Sequence, residues 1–408
     1  MLLLNLGAIN APLASPDRPT CYKLIKIQKL RNEDKLRKEY FMIILNGINE
    51  LEGFNFEVDK SEGVYTVTLV HCSCNSKKIV IPAFIGNMPI TSIGSCTFLG
   101  EKVKHVKLPE TLNIIEDHAF SECTSLKEIN FPEGLTSIEC NAFYRCTNLQ
   151  DISFPESLTS IEYSAFQNCE KLTKITIPKG LADIKSDSFS GCKNLKEFIV
   201  DEHNPVYTSC DGILFDKNMT TLIMYPNGRE GDYIIPESIT TIAKDAFDNC
   251  ESLTKITLPK ELMAFSMNSF HFCEQLSDIT VDENNPIFSS VDGVLFDKEC
   301  SRLLQYPQNK DNIDYIVPNG VNHIWNRAFY NCKWLEKIVL PESLIYIGDN
   351  VFCNCEQLSE ITLPENLLYI GKGAFMDCPN LKSITLSKNT KICYKTFNRY
   401  SGKIVYRD

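Results

Sequence analysis

Apolar and polar positions along this chain alternate in short bursts that recur at one fixed interval. In the run SLKEINFPEGLTSIECNAFYRC, from Ser125 to Cys146, the apolar positions are Leu126, Ile129, Phe131, Leu135, Ile138, Ala142, Phe143 and Cys146. Ile129 and Phe131 flank Asn130 with the period of a pleated strand that buries one face. Pro132 ends that strand, because it has no N–H to give a ladder. Leu135 and Ile138 predict a short return strand on the far side of a coil, where Thr, Ser and Ile favour extended backbone over helix. Ala142, Phe143 and Cys146 predict a single helical turn that closes the rung.

The interval is 23 residues, from Pro109 through Pro132, Pro155 and Pro178, then from Pro236 to Pro259, then from Pro318 through Pro341 and Pro364. Phe120, Phe143, Phe166, Phe189, Phe247, Phe270, Phe329, Phe352 and Phe375 keep the same step, with Phe98 and Phe397 in end units. Cysteine follows each three residues on, at Cys123, Cys146, Cys169, Cys192, Cys250, Cys273, Cys332, Cys355 and Cys378. Self-similarity at this period predicts a leucine-rich-repeat solenoid, since single units cannot bury their apolar side alone and about three are the minimum for a continuous core. The expected fold is mostly β, a curved right-handed superhelix of α/β repeat units. It would be about 60 Å long if some thirteen rungs advance about 4.8 Å each.

Two inserts interrupt the period, at about 200–231 and 281–313, and they match each other: VDEHNPVYTSCDGILFDK from Val200 and VDENNPIFSSVDGVLFDK from Val281. Asp211-Gly212 and Asp292-Gly293 lie between alternating runs, a strong signal for β-hairpins with type I′ turns. A third strand, TLIMYP from Thr221 and RLLQYP from Arg302, would complete a small meander bulging from the coil. Ahead of the repeats, residues 53–96 read as strands that cap the core, and 1–52 as a charged tail or amphipathic segment with lysines and arginines from Lys23 to Lys38. The solenoid proper is then 97–408.

The run L-x-x-I-x-[FIL]-P-E-x-L-x-x-I-x-x-x-A-F-x-x-C resembles the BspA-type leucine-rich repeat, and the inserts, N-P-x-[YF]-x-S-x-D-G-[IV]-L-F-D-K with a following Tyr-Pro, resemble that family's extended unit. The likeness covers roughly residues 60 to 408. It implies a surface or secreted protein that adheres to host or neighbouring-cell proteins. The start, MLLLNLGAINAPLAS, has no Lys or Arg ahead of its apolar run and puts Pro12 at the minus-three position of a cut after Ala14, so no signal peptide is read there. A cell-surface or secreted location therefore follows from the resemblance alone, and a cytoplasmic one stays open.

Charge and cysteine content narrow the chemistry. A net charge of −11 leaves no basic excess to neutralise phosphates, which argues against nucleic acid and anionic membranes as partners. No run reaches the 18 to 20 or so apolar residues of a spanning helix, so no membrane insertion is expected. The in-step cysteines would stack about 4.8 Å apart, too far for a disulfide, and read as buried thiols acting as small hydrophobes. Among Cys21, Cys72, Cys74, Cys96, Cys140, Cys210, Cys300, Cys353 and Cys393 a pair such as Cys72 with Cys74 or Cys96 remains open. Zinc would need clustered C-x-x-C pairs, which do not occur. The histidines His71, His105, His118, His203, His271 and His323 fall in different units, so no nucleophile–base set is expected. Asp201, Asn204, Asp211 and Asp216, with Asp282, Asn285, Asp292 and Asp297, pose a calcium alternative to turn formation, and turns are the preferred reading. No catalytic residue, metal ligand or cofactor is assigned.

The outward positions of the first strand would form the concave face on which solenoids bind. One row is Lys107, Asn130, Ser153, Thr176, Ile199, Thr257, Thr280, Val339, Thr362 and Thr385; its neighbour is His105, Glu128, Asp151, Lys174, Glu197, Lys255, Asp278, Lys337, Glu360 and Ser383. Strand propensity and solubility explain such rows as readily as binding does. The candidate face consists of Glu128, Asn130, Asp151, Ser153, Lys174, Thr176, Lys255, Thr257, Asp278, Thr280, Lys337, Glu360, Thr362 and Thr385. The expected function is non-enzymatic protein binding by a monomer, in adhesion, with an intracellular scaffold as the alternative.

Overall fold

Two ladders of short parallel strands, joined by tight turns, make each rung. The computed structural model describes residues 54–61, 64–72, 76–266 and 269–407, all within the unit 51–408. The charged segment 1–52, Cys21 and Cys74 lie outside the described residues. Phe54–Ser61 pairs antiparallel with Val64–Cys72, which lies parallel to Met88–Ile93 and so hands the chain on to the coil.

The first ladder runs Lys78–Val80, His105–Lys107, Glu128–Asn130 in register, then Lys174–Ile177 with Glu197–Val200. It resumes as Gly231–Ile234, Leu253–Leu258, Asp278–Val281, and again as Asp314–Ile316, Lys337–Val339, Glu360–Thr362. The second ladder is the return strand of every rung, such as Ile114–Ile115, Ser137–Ile138, Ser160–Ile161 and Asp183–Ile184. Leu126, Leu135, Ile138, Ala142, Phe143 and Cys146 are all fully buried, as the alternation requires.

The rung is closed by turns, where a helical turn was expected. Among the described residues there is no helix. Ala142, Tyr144 and Cys146 donate their N–H groups back to Glu139, Asn141 and Phe143, whereas Asn141, Phe143 and Arg145 donate forward to Tyr163, Ala165 and Gln167 of the next rung. A helix would spend every N–H internally and leave those next-rung carbonyls buried without donors. Asn141 and Arg145, at φ 56° and 57°, break the helical path twice, as do His118 with Glu122 and Asn350 with Asn354.

Inside the coil the phenylalanines stack as a column, Phe98 on Phe120 at 4.8 Å, then Phe143, Phe166 and Phe189 at 5.1, 5.0 and 5.3 Å. Each offset pair contributes about 0.5–1.5 kcal/mol beyond its burial. The in-step cysteines have a partner that spacing did not reveal. Cys123 Sγ donates to the Phe98 carbonyl at 2.9 Å, and Cys146, Cys169 and Cys192 repeat this to Phe120, Phe143 and Phe166. Burial pushes the Cys123 and Cys192 thiols up to about 12, so they stay protonated donors.

Both hairpins form as expected. Cys210 pairs with Ile213 across Asp211 (φ 48°) and Gly212 (φ 72°), and Val291 with Val294 across Asp292 (φ 49°) and Gly293 (φ 69°). The third strands do not bulge outward. Thr221–Met224 and Arg302–Gln305 each join the second ladder, parallel to Thr241–Ile242 and His323–Ile324. Tyr225 then continues the aromatic column onto Phe247 at 5.1 Å, and Tyr306 onto Phe329 at 4.9 Å. Each insert is thus a rung with a hairpin built into it, and the tyrosine of its Tyr-Pro holds the place that phenylalanine holds elsewhere.

Candidate functional site

The outward face of the first ladder is built by the alternation that buries its inward face. In Lys174–Ile177, Ile175 and Ile177 are buried while Lys174 and Thr176 face solvent. Glu128, Asn130, Lys174, Thr176, Lys255, Thr257, Asp278, Thr280, Lys337, Glu360, Thr362 and Thr385 all lie on ladder strands with exposed or half-buried side chains. Asp151 and Ser153 do not belong to a strand. A single bridge joins Glu128 to Asp151, and no backbone bond crosses from 151–154 to Lys174–Ile177. The break coincides with phenylalanine before proline: Phe131 and Phe154 stack 5.7 Å apart, wider than the ladder step of about 4.8 Å. Beside the break lies an open groove of about 470 Å³ lined by Asp151, Lys171, Asn194 and Lys196.

The outer row mixes both charge signs along the coil. Lys337 Nζ lies 2.7 Å from Glu360 Oε1, and this bond, with Glu360 and then Asp314 nearby, pushes the Lys337 pKa up. A lysine paired between two carboxylates along the ladder recurs as Asp232, Lys255, Asp278.

Residues overlooked in the sequence sit where the inserts meet this face. The turn tips enter the ladder itself: Phe198 N–H donates to the Gly212 carbonyl at 2.8 Å, and Ile279 N–H to Gly293 at 3.0 Å. A Cβ on Gly212 would come 2.8 Å from Glu197 Cβ, so the close approach and the positive φ both require glycine. After each tip the ladder restarts with an outward isoleucine, Ile234 at 72% exposure and Ile316 at 71%. Both stand two residues before a proline, as Thr176 and Thr257 do, so aligning on Pro236 and Pro318 finds them.

The insert carboxylates serve turns. Asn204 is fully buried; its Nδ2 donates to the Pro178 and Leu181 carbonyls, and its Oδ1 accepts from Val206 and Tyr207 N–H. Asn285 repeats all four bonds. Asp216 and Asp297 each accept from two backbone N–H groups of the following turn.

One Ser–Asp–His group assembles across rungs, with Ser190 Oγ 2.6 Å from Asp248 Oδ2 and His271 Nδ1 3.2 Å from Asp248 Oδ1. The carboxylate sits between hydroxyl and imidazole, whereas general-base catalysis needs the imidazole against the hydroxyl. It ties the rungs that flank the first insert.

The model of the BspA type leucine rich repeat region matches this chain in six copies, over residues 70–210, 231–317 and 306–405. The chain belongs to the BspA-type leucine-rich-repeat family. It is similar to a leucine rich cell surface protein from Faecalibacterium prausnitzii, 26% identical, covering 88% of this chain and 94% of that one at a TM-score of 0.52. A leucine-rich repeat protein from Eubacterium ventriosum shares the fold at 22% identity, with 80% and 93% covered and a TM-score of 0.57. No curated protein matches significantly. As a BspA-type repeat protein the chain is a protein-interaction repeat module of a generally non-enzymatic kind. Among the described residues no helix is long and apolar enough to cross a membrane.

Proposed function

We propose that this BspA-type chain is an adhesion module that binds a protein on a host or neighbouring cell through the outward face of its first ladder. The observation that carries the reading is that this face presents mostly small and charged side chains at solvent, while exposed isoleucines, Ile199, Ile234 and Ile316, gather where the inserts enter it. A large, shallow, side-chain-lined sheet suits another macromolecule better than a small ligand, which needs an enclosed cavity. The likeness to a cell surface protein supports the location. The unpaired in-step thiols do not oppose it, because each is buried whatever the redox compartment.

Beads coated with the full chain test this on cultured epithelial cells. Saturable adhesion that soluble chain competes away, and that trypsin treatment of the cells removes, is the expected result. Adhesion indifferent to trypsin and to competitor would refute a protein receptor.

A further inference from the structure

The first-ladder position two residues before proline is polar at Lys107, Asn130, Ser153, Thr176, Thr257 and Thr362 and valine at Val80 and Val339. Ile234 and Ile316 hold it at equivalent places, each on the first strand after an insert. Both are about seven-tenths exposed, at 72% and 71%. Each follows a carboxylate on the same outward face, Asp232 or Asp314. The turn tip beside it adds Asp211 or Asp292, and the strand before it adds Glu197 or Asp278. Two cations answer each set of three carboxylates, Arg229 at 2.6 Å from Asp211 with Lys255 across the ladder from Asp232, and Lys310 at 3.6 Å from Asp292 with Lys337 across from Asp314. The surroundings of both isoleucines are therefore net acidic. From Ile234 the face passes Thr257, Thr280 and the second tip before Ile316, which is four ladder steps or about 19 Å.

We propose that this face carries two equivalent subsites, one at each insert, that together take an extended polypeptide presenting paired apolar and basic side chains about 19 Å apart. The proposal rests on the reading of the first-ladder face as the binding surface. The isoleucine supplies the apolar contact, the carboxylates select lysine or arginine over an acidic partner, and the repetition makes the second contact intramolecular once the first is made.

A fluorescent synthetic peptide with two Leu-Lys pairs, equivalent residues six positions apart, spans about 20 Å when extended. Its binding to the full chain is read by anisotropy beside a one-pair peptide and a two-pair peptide with Glu in place of Lys. The two-pair lysine peptide is expected to bind at least tenfold tighter than either control. Ile234→Glu or Ile316→Glu alone should reduce it to the one-pair level, with the circular dichroism spectrum unchanged. Equal binding by the three peptides, or undiminished binding by the chain carrying both Ile234→Glu and Ile316→Glu, overturns the proposal. So does self-association of the chain that Ile234→Glu abolishes, since the occupant would then be a second copy. Failure of the subsites alone leaves bead adhesion sensitive to Thr176→Arg, Thr280→Arg and Thr362→Arg; failure of the face reading leaves adhesion untouched by those changes.

Discussion

Asn204→Ala separates the turn account of the inserts from a metal account. Asn204 is fully buried and makes four hydrogen bonds, at 2.8 Å to Pro178, 2.8 Å to Leu181, 2.9 Å from Val206 and 2.8 Å from Tyr207. At about 1 kcal/mol net for each bond, and with no water able to replace them, truncation costs about 4 kcal/mol. The loss is local in a solenoid, where each rung contacts mainly its neighbours. Hydrogen exchange by mass spectrometry should therefore show residues 200–231 losing protection while 98–170 keep theirs, and urea unfolding should show an earlier transition. Asp201→Ala, by contrast, removes the one backbone bond the half-buried carboxylate accepts, from His203 N–H at 2.8 Å, and should cost about 1 kcal/mol. Millimolar calcium should leave the wild-type unfolding curve where it is. A cost for Asn204→Ala below about 1 kcal/mol, or wild-type stabilisation by calcium that the variant lacks, would refute the reasoning.

Other consequences are equally direct. Gly212→Ala places a side chain at φ 72° and 2.8 Å from Glu197 Cβ, so the hairpin tip should lift from the ladder at a cost of about 1–2 kcal/mol, seen in urea unfolding and as faster exchange at Phe198. The Cys123 and Cys192 thiols are pushed up to about 12 from an ordinary value of 9.0. The folded chain then holds protons that the unfolded chain releases, so stability is full below pH 9 and falls as pH rises from 9 toward 12, which urea midpoints across that range will show. Native alkylation at pH 8 should modify exposed Cys210 well before the in-step thiols.

The coil was legible because its signal is redundant: period, strand alternation and proline all mark the same rung, and Leu126, Ile129, Ile138 and Phe143 are buried as the pattern requires. Asp-Gly also located the hairpin turns without help from the rest of the chain. The turn after Ile138 was not legible as such. Residues like Ala142 and Phe143 fit a helix locally, and only the neighbouring rung's carbonyls favour the alternating pattern of bonds. The inserts were misplaced for a related reason. Tyr225 and Tyr306 substitute for phenylalanine in a column that is visible only once rungs are stacked. Ile234 and Ile316 fall outside an outward row counted from the buried isoleucine of each strand, because Tyr233 and Tyr315 hold that isoleucine's place after the inserts.

The claim that the first-ladder face does the binding is tested most directly by charging one side of the coil at a time. Thr176→Arg, Thr280→Arg and Thr362→Arg in one chain change that face; Thr136→Arg, Thr159→Arg and Leu368→Arg in another change exposed positions beside the second ladder. Both chains are assayed for bead adhesion after confirming equal urea midpoints. Loss of at least tenfold in the first chain with adhesion retained in the second is the predicted result, and the reverse pattern would contradict it.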